Sequence, residues 1–231
     1  MKTSFNLLFA AGFLLIGSVA NGQSEVQTIF GKGKINSVTG YGALSSKFTN
    51  IGNSYASMTE VYGGVFINKK LMIGLGGGVT TNYIPVLSEY SIDPLRRMSY
   101  AYGQFGLASE YVIQSNKTFH LAFSLFAGGG FTTQYDRPDC NNYNSKDYED
   151  YNYDGGNEDV FFVAEPGVQV EINVFKWMRF SPGVSYRSSF GSSTVGLSNS
   201  DLSKMSYNAT FKFEKFLKLS KLKSGVITHL T

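Results

Sequence analysis

The sequence predicts an all-β chain in which eight antiparallel strands close into an up-and-down barrel. Three observations carry that prediction. Bulky apolar residues alternate with small or polar ones at period two in eight separate stretches, the signature of half-buried strands. The connections between these stretches are mostly tight turns and long polar loops in alternation. Charged residues make up only 16% of the chain and aromatic residues 15%, whereas a water-exposed coat draws on about a quarter charged residues.

The chain opens with "MKTSFNLLFAAGFLLIGSVANG". Lys2, the apolar run from Leu7 to Ile16 and the small residues Ser18 and Ala20 have the layout of a secretory signal peptide over 1–22. No later stretch is apolar for the ~18 residues a spanning helix needs, which excludes a helical membrane protein. The lone Cys140 excludes an intrachain disulfide and reads as a free surface thiol or an intermolecular link. The net charge of +3 is small and dispersed, against the dense basic stripe that a nucleic-acid partner requires.

Strands are expected over 38–48 and 55–67, though both are weakly patterned. The next contains "IGLGGGVTTNY", which suggests a phosphate-cradling loop at first sight. Val79 stands where the last fingerprint glycine belongs, and Pro85 and Pro94 leave no helix to receive a phosphate. The stretch reads instead as a strand with Leu71, Ile73, Leu75 and Val79 on one face and Gly74, Gly76 and Gly78 on the other. The fourth sets Ala101, Gly103, Phe105 and Leu107 against Tyr100, Tyr102, Gln104 and Glu110. The fifth sets Phe119, Leu121, Phe123 and Leu125 against His120, Ala122 and Ser124. The sixth sets Phe162, Val168, Val170 and Ile172 against Glu165, Gln169 and Glu171. The seventh, 176–188, carries Met178, Phe180, Val184 and Tyr186 on its apolar face. The eighth is the cleanest, with Met205, Tyr207, Phe211 and Phe213 opposed by Ser206, Asn208, Thr210 and Lys212. Tight turns fall at 68–70, 114–116 and 174–176, and long loops at 84–97, 133–158 and 189–203.

Eight strands enclose room for modest side chains only, and the bulky set is too large for that space. The arrangement that fits both volumes turns Phe and Leu outward and the small and charged set inward, as in a transmembrane β-barrel. The glycine rows then make room for Tyr100, Tyr102 and Phe126 across the interior. Charges inside need partners. Centring the 174–176 turn on Phe175 sets Glu171 opposite Arg179 and Glu165 diagonal to Arg187. Centring the 114–116 turn on Ser115 sets Glu110 opposite His120. An interior ion network of Glu165, Glu171, Arg179, Arg187, Glu110 and His120 is therefore expected, with Lys212 and Glu214 either joining it or lying at the rim in water.

"AEPGVQVEINVFKWMRFSPGVSYR" (164–187), "INKKLMIGLGGG" (67–78) and the strand layout resemble the small outer-membrane β-barrel proteins of Gram-negative bacteria, above all the "outer membrane protein β-barrel domain" group and more distantly OmpX and the OmpA barrel. The resemblance covers roughly 38–216. It implies a barrel in the outer membrane with both termini in the periplasm, 23–37 as an N-terminal periplasmic segment, and no activity by itself. The chain continues past Phe213 and Phe216 into a basic tail, 217–231, that reads as a frayed terminus, with a segment lying on the anionic inner-leaflet surface or touching periplasmic partners as the alternatives. Pro166 and Pro182 lie within strands and are expected to mark bulges.

In the 133–158 loop, Asp150, Asn152, Asp154 and Gly155 match the first half of a calcium loop, but Phe161 stands where the bidentate acid belongs. The loop reads first as a solvated acidic segment, with a loose oxygen-ligand calcium site of Asp150, Asn152, Asp154 and Glu158 as the alternative. Tyr143, Tyr148, Tyr151 and Tyr153 interleave with the acids, a composition suited to recognising an extracellular partner. The histidines, His120 and His229, are far from the long loops, so neither catalysis nor a zinc site is expected, and no cofactor. "NKT" at Asn116 and "NAT" at Asn208 read as chance glycosylation matches. The expectation is a monomer surrounded by outer-membrane lipid, its polar lumen plugged, acting through its loops in a structural or surface-interaction role. A narrow passive pore for small solutes is the alternative, and a secreted lipocalin-like ligand binder a third reading.

Overall fold

A computed structural model describes residues 38–115, 117–137 and 157–215. Eight strands form a closed antiparallel ring: β1 (Val38–Ile51), β2 (Ser54–Ile67), β3 (Leu71–Thr80), β5 (Met98–Ile113), β6 (Phe119–Asp136), β7 (Asp159–Phe175), β8 (Met178–Tyr186) and β10 (Met205–Lys215). Each pairs with its neighbours in sequence, and β1 closes the ring on β10. Two short strands, β4 (Ile84–Pro85) and β9 (Ser188–Phe190), extend the wall at one rim by pairing with β5 and β7. That rim bears the Gly52–Asn53 turn, the 81–97 and 187–204 connections and the strand ends at 136 and 159; among the described residues the opposite rim bears tight turns and the two barrel ends at 38 and 215.

Alternation fixes the two faces of the wall. Phe123, Leu125, Val168 and Phe211 all lie on the outer surface, as do Leu44, Val61, Leu75, Phe105 and Leu107. Inside lie two apolar clusters and the charged groups. Toward the long-loop rim, Ile51, Met58, Ile84, Tyr100, Tyr102, Phe161 and Val163 pack with Leu197 and Leu202, which the 187–204 connection folds into the mouth. The second cluster gathers Tyr41, Phe66, Met72, Val112 and Ala122.

Two glycines permit an unusually close strand approach. Gly64 and Gly74 are register partners in β2 and β3, and a Cβ on either would strike the backbone of the facing strand. Gly76 and Gly78 serve a neighbour: the space beside them holds Tyr62 and Glu60 of β2 rather than Tyr100 or Tyr102.

The registers depart from expectation by even numbers of residues. Glu110 faces Ser124, because β5 and β6 are joined by a wider loop in which Gln114 adopts φ 56° and Lys117 N donates to Gln114 O at 2.9 Å; His120 faces Glu171 across the β6–β7 ladder. Arg179 faces Asn173, which makes Glu171 its diagonal neighbour. An even shift returns every side chain to its own face, so hydrophobic alternation alone does not distinguish these registers. The prolines behave differently from the expected bulges. The β7–β8 pairing lapses beside Pro166 and beside Pro182 with the register count unchanged, and the one shift lies at Asn173/Phe175. Each proline still holds its place in the ladder on its other side, opposite Leu125 and Ala209. A missing N–H thus removes a rung on one flank without adding a residue.

Candidate functional site

The lumen is built around Glu171, which is 0% exposed. Its Oε2 meets His120 Nε2 at 2.7 Å and Arg179 Nη1 at 2.9 Å, and its Oε1 meets Lys212 Nζ at 2.6 Å. Lys212 continues to Glu110 at 2.9 Å, which also accepts from the hydroxyls of Tyr41 at 2.7 Å and Tyr62 at 2.8 Å. Arg179 bridges on to Glu214. The other ring nitrogen of His120 faces the Lys117 carbonyl at 3.0 Å. Both its ring nitrogens thus have a polar partner.

A second cluster centres on Lys47, whose Nζ lies 2.7 Å from Glu60 and 2.7 Å from Glu165. Gln104 donates to both carboxylates, and Ser185 donates to Glu165 at 2.5 Å. Each ion shares its charge with an opposite one and with hydrogen-bond donors, the condition under which a charge tolerates removal from water.

Of the sequence-predicted lumen residues, Glu110, His120, Glu171 and Arg179 come together, while Glu165 belongs to the Lys47 cluster. Arg187 does not pair with Glu165. Its Nε donates to Leu202 O at 2.6 Å and an Nη to Asn50 O at 3.1 Å, and its guanidinium lies 4.6 Å from the Tyr102 ring centroid. The folded 187–204 connection supplies that carbonyl, so Arg187 latches a loop instead of neutralising an acid. Lys47 escaped the sequence reading because the outward set of β1 includes Gly40, Gly42, Ser46 and Asn50, and Glu60 because that of β2 includes Ser57, Thr59 and Gly63. The cue available was the inward series Tyr41, Ser45, Lys47, Thr49 at period two. Tyr143, Tyr148, Tyr151, Tyr153, Asp150, Asn152 and Asp154 lie outside the described residues; Glu158 is exposed at the long-loop rim. Among the described residues no group of three His, Cys, Asp or Glu side chains is placed to hold a metal.

A small cavity of about 60 Å³ lies between the clusters, lined in part by Lys47, Glu60, Tyr62, Glu165, Gln169 and Asn208; polar groups of that kind suit water. At the short-turn rim a hollow of about 610 Å³ opens between Lys69, Asn173 and Lys176 and is floored by Arg179 and Glu214. Neither space crosses the barrel.

Two connections cover the long-loop rim. Gln134 ties down 81–97 by accepting from Ile92 N at 3.1 Å and donating to Tyr90 O at 2.9 Å. In the 187–204 connection, Ser198 and Asp201 cap one helical turn, Asn199–Leu202, reciprocally, and Tyr100 donates to Val195 O at 2.6 Å. Asp159, at the loop end of β7, accepts from the Ser192 hydroxyl, the Ser193 amide and hydroxyl and the Thr194 hydroxyl at 2.7–2.8 Å. Burial pushes the Asp159 carboxyl up, but these four donors outweigh it and bring it down to about 2. The carboxylate form is the one the fold holds. Its contribution is therefore complete above the ordinary aspartate value and is lost as pH falls through about 2. We expect Asp159→Asn to loosen this connection while the barrel stays folded, read as faster protease cleavage within 190–198 and an unchanged barrel band on a gel. Equal cleavage rates would remove the staple role.

No known family model and no curated protein matches the sequence. Among solved structures, the fold is similar to Neisserial surface protein A, with a TM-score of 0.49 and 10% identity over 76% of this chain and 94% of that one. It is similar to the N-terminal β-barrel domain of Pseudomonas aeruginosa OprF, with a TM-score of 0.46 and 8% identity over 76% of this chain and 99% of that one. The attachment invasion locus protein Ail of Yersinia pestis gives a TM-score of 0.41 and 10% identity over 78% and 99%. What the chain resembles, in each case, is a small outer-membrane β-barrel protein.

Proposed function

We propose that this chain is an integral barrel of a bacterial outer membrane with a closed, polar lumen, acting through its long-loop rim in a structural or surface-interaction role. The observation that carries this is the inverted wall. Leu44, Val61, Leu75, Leu107, Leu125 and Phe211 stand exposed on the outside, while Lys47, Glu165, Glu171, Arg179 and Lys212 are buried inside. Water would disfavour such a surface by about 25 cal/mol for each Å² of apolar area, and a bilayer removes that cost. Aromatic side chains mark both ends of the apolar band, as expected of membrane interfaces. At the short-turn end Trp177 stacks between Phe175 (5.6 Å) and Phe213 (6.2 Å); at the loop end Tyr55, Tyr83, Tyr207 and Phe190 are exposed.

On this reading residues 1–22 direct export, the short turns face the periplasm, and the long loops face outward. The tyrosines and acids of 133–158 provide the surface for an extracellular partner, and calcium binding at Asp150, Asn152, Asp154 and Glu158 remains the alternative use of that loop. No catalysis is proposed, because His120 is enclosed between Glu171 and a carbonyl. The lumen separates this reading from a narrow passive pore: the ion clusters and the loop-derived Leu197 and Leu202 block the route. Purified protein in a planar bilayer should leave the baseline conductance unchanged. Stable open-channel currents would replace the closed barrel with the pore.

A further inference from the structure

We propose that Arg97 and Arg137 form a docking site for an anionic phosphomonoester lipid head group, as distinct from the charge-compensated phosphodiester of a zwitterionic lipid, in the leaflet around the loop end of the barrel. The inference rests on the membrane reading above and names one lipid contact within it. Arg137 N donates to Arg97 O at 3.1 Å, one step beyond the Met98–Asp136 pair, so the two arginines face each other across the β5–β6 ladder. Both continue the outward series of their strands, that of Phe105 and Leu107 in β5 and of Phe131 and Tyr135 in β6. Like charges directly opposite on one face of a sheet repel.

Their neighbour shows the contrast. Arg96 is bridged by Asp93 at 3.1 Å and Asp136 at 3.3 Å. Among the described residues neither Arg97 nor Arg137 forms a salt bridge. Arg97 is exposed. Arg137 is held with its guanidinium 5.2 Å from the Tyr83 ring centroid, and its Nε is shielded from solvent with no hydrogen-bond partner. Tyr83 packs in turn on Tyr135, with centroids 6.4 Å apart. A phosphate between the two guanidinium groups would remove the repulsion, accepting from their terminal N–H groups in the forked geometry that arginine offers and lysine does not. The height agrees with this occupant. Tyr83 and Tyr135 lie at the aromatic band where hydrocarbon gives way to head groups, and the arginines stand just beyond it.

The test uses the full chain folded into vesicles of phosphatidylcholine alone and into an equal mixture of phosphatidylcholine and phosphatidic acid, at one ionic strength. The readout is the temperature at which the compact gel band is lost. For the wild type this temperature should rise by roughly 5 °C in the mixed vesicles, since a ligand of the folded state alone stabilises it. The rise should vanish in Arg97→Gln/Arg137→Gln and persist in Lys70→Gln/Lys176→Gln, which removes the same two charges at the opposite rim. In phosphatidylcholine alone the double variant should be at least as stable as wild type, because the repulsion is gone, and this shows that it folds. Persistence of the rise in the double variant would overturn the site. So would an equal rise when inorganic phosphate is added to phosphatidylcholine vesicles, which would make the occupant a soluble anion. Failure of the wild type to enter either vesicle would overturn the membrane reading itself, and is seen before the two lipids are compared.

Discussion

Glu171→Ala should lower the stability of the folded barrel by about 3–5 kcal/mol, the cost of removing one partner from a buried ion cluster. The side chain is 0% exposed and receives His120, Arg179 and Lys212 on its two oxygens. Lys212 keeps Glu110, and Arg179 keeps Glu214, but three cationic or donating groups then surround a gap with no carboxylate at its centre. A urea titration of the compact gel band measures the loss as a shift in midpoint at constant slope. Glu171→Leu combined with Lys212→Met should cost less than the sum of the two single changes, by a coupling of about 0.5–3 kcal/mol. A single-variant loss below about 1 kcal/mol would contradict the packed lumen, because ion pairs are worth so little only where water screens them. That result would also strengthen the case for a conducting barrel.

The outward and inward sets of the later strands were legible in the sequence, most clearly in "MSYNATFKF". Its Tyr207, Phe211 and Phe213 are exposed, and Ser206, Thr210 and Lys212 are buried. The lumen's chemistry was less legible, for two physical reasons. Facing is set by parity, whereas register is set by turns, so Glu110 met Ser124 instead of His120 while keeping its inward direction. The network survived that error because long side chains reach diagonal partners: Glu171 and Arg179 touch although they are not directly opposite. The folded 187–204 connection left only a local signal. Ser198 and Asp201, three residues apart beside Leu197 and Leu202, form a capping box next to apolar residues, and reading it would have turned a polar loop into a plug. The 133–158 loop is the contrary case. Its calcium and recognition readings rest on composition alone, since Tyr143 through Asp154 lie outside the described residues.

Leu107→Arg discriminates most sharply between a barrel in lipid and one in water. Leu107 is the middle outward residue of β5, flanked by its register partners Leu75 on β3 and Ala127 on β6. It is 60% exposed on the barrel surface. Were that surface hydrated, arginine at such a position would change stability by no more than about 0.5 kcal/mol. In a bilayer the same change places a guanidinium near the hydrocarbon midplane, at a cost of about 2–4 kcal/mol. Leu95 supplies the internal comparison. At 98% exposed in the 81–97 connection, it lies beyond the apolar band, so Leu95→Arg should be close to neutral in vesicles. Exposure by itself predicts that both substitutions are tolerated; the lipid-facing wall predicts that only the loop change is. The two variants, refolded into phosphatidylcholine vesicles and titrated with urea, give the comparison directly. Equal stabilities for Leu107→Arg and Leu95→Arg would mean that the outer wall does not meet hydrocarbon. The ion-filled interior would then need an explanation other than the bilayer.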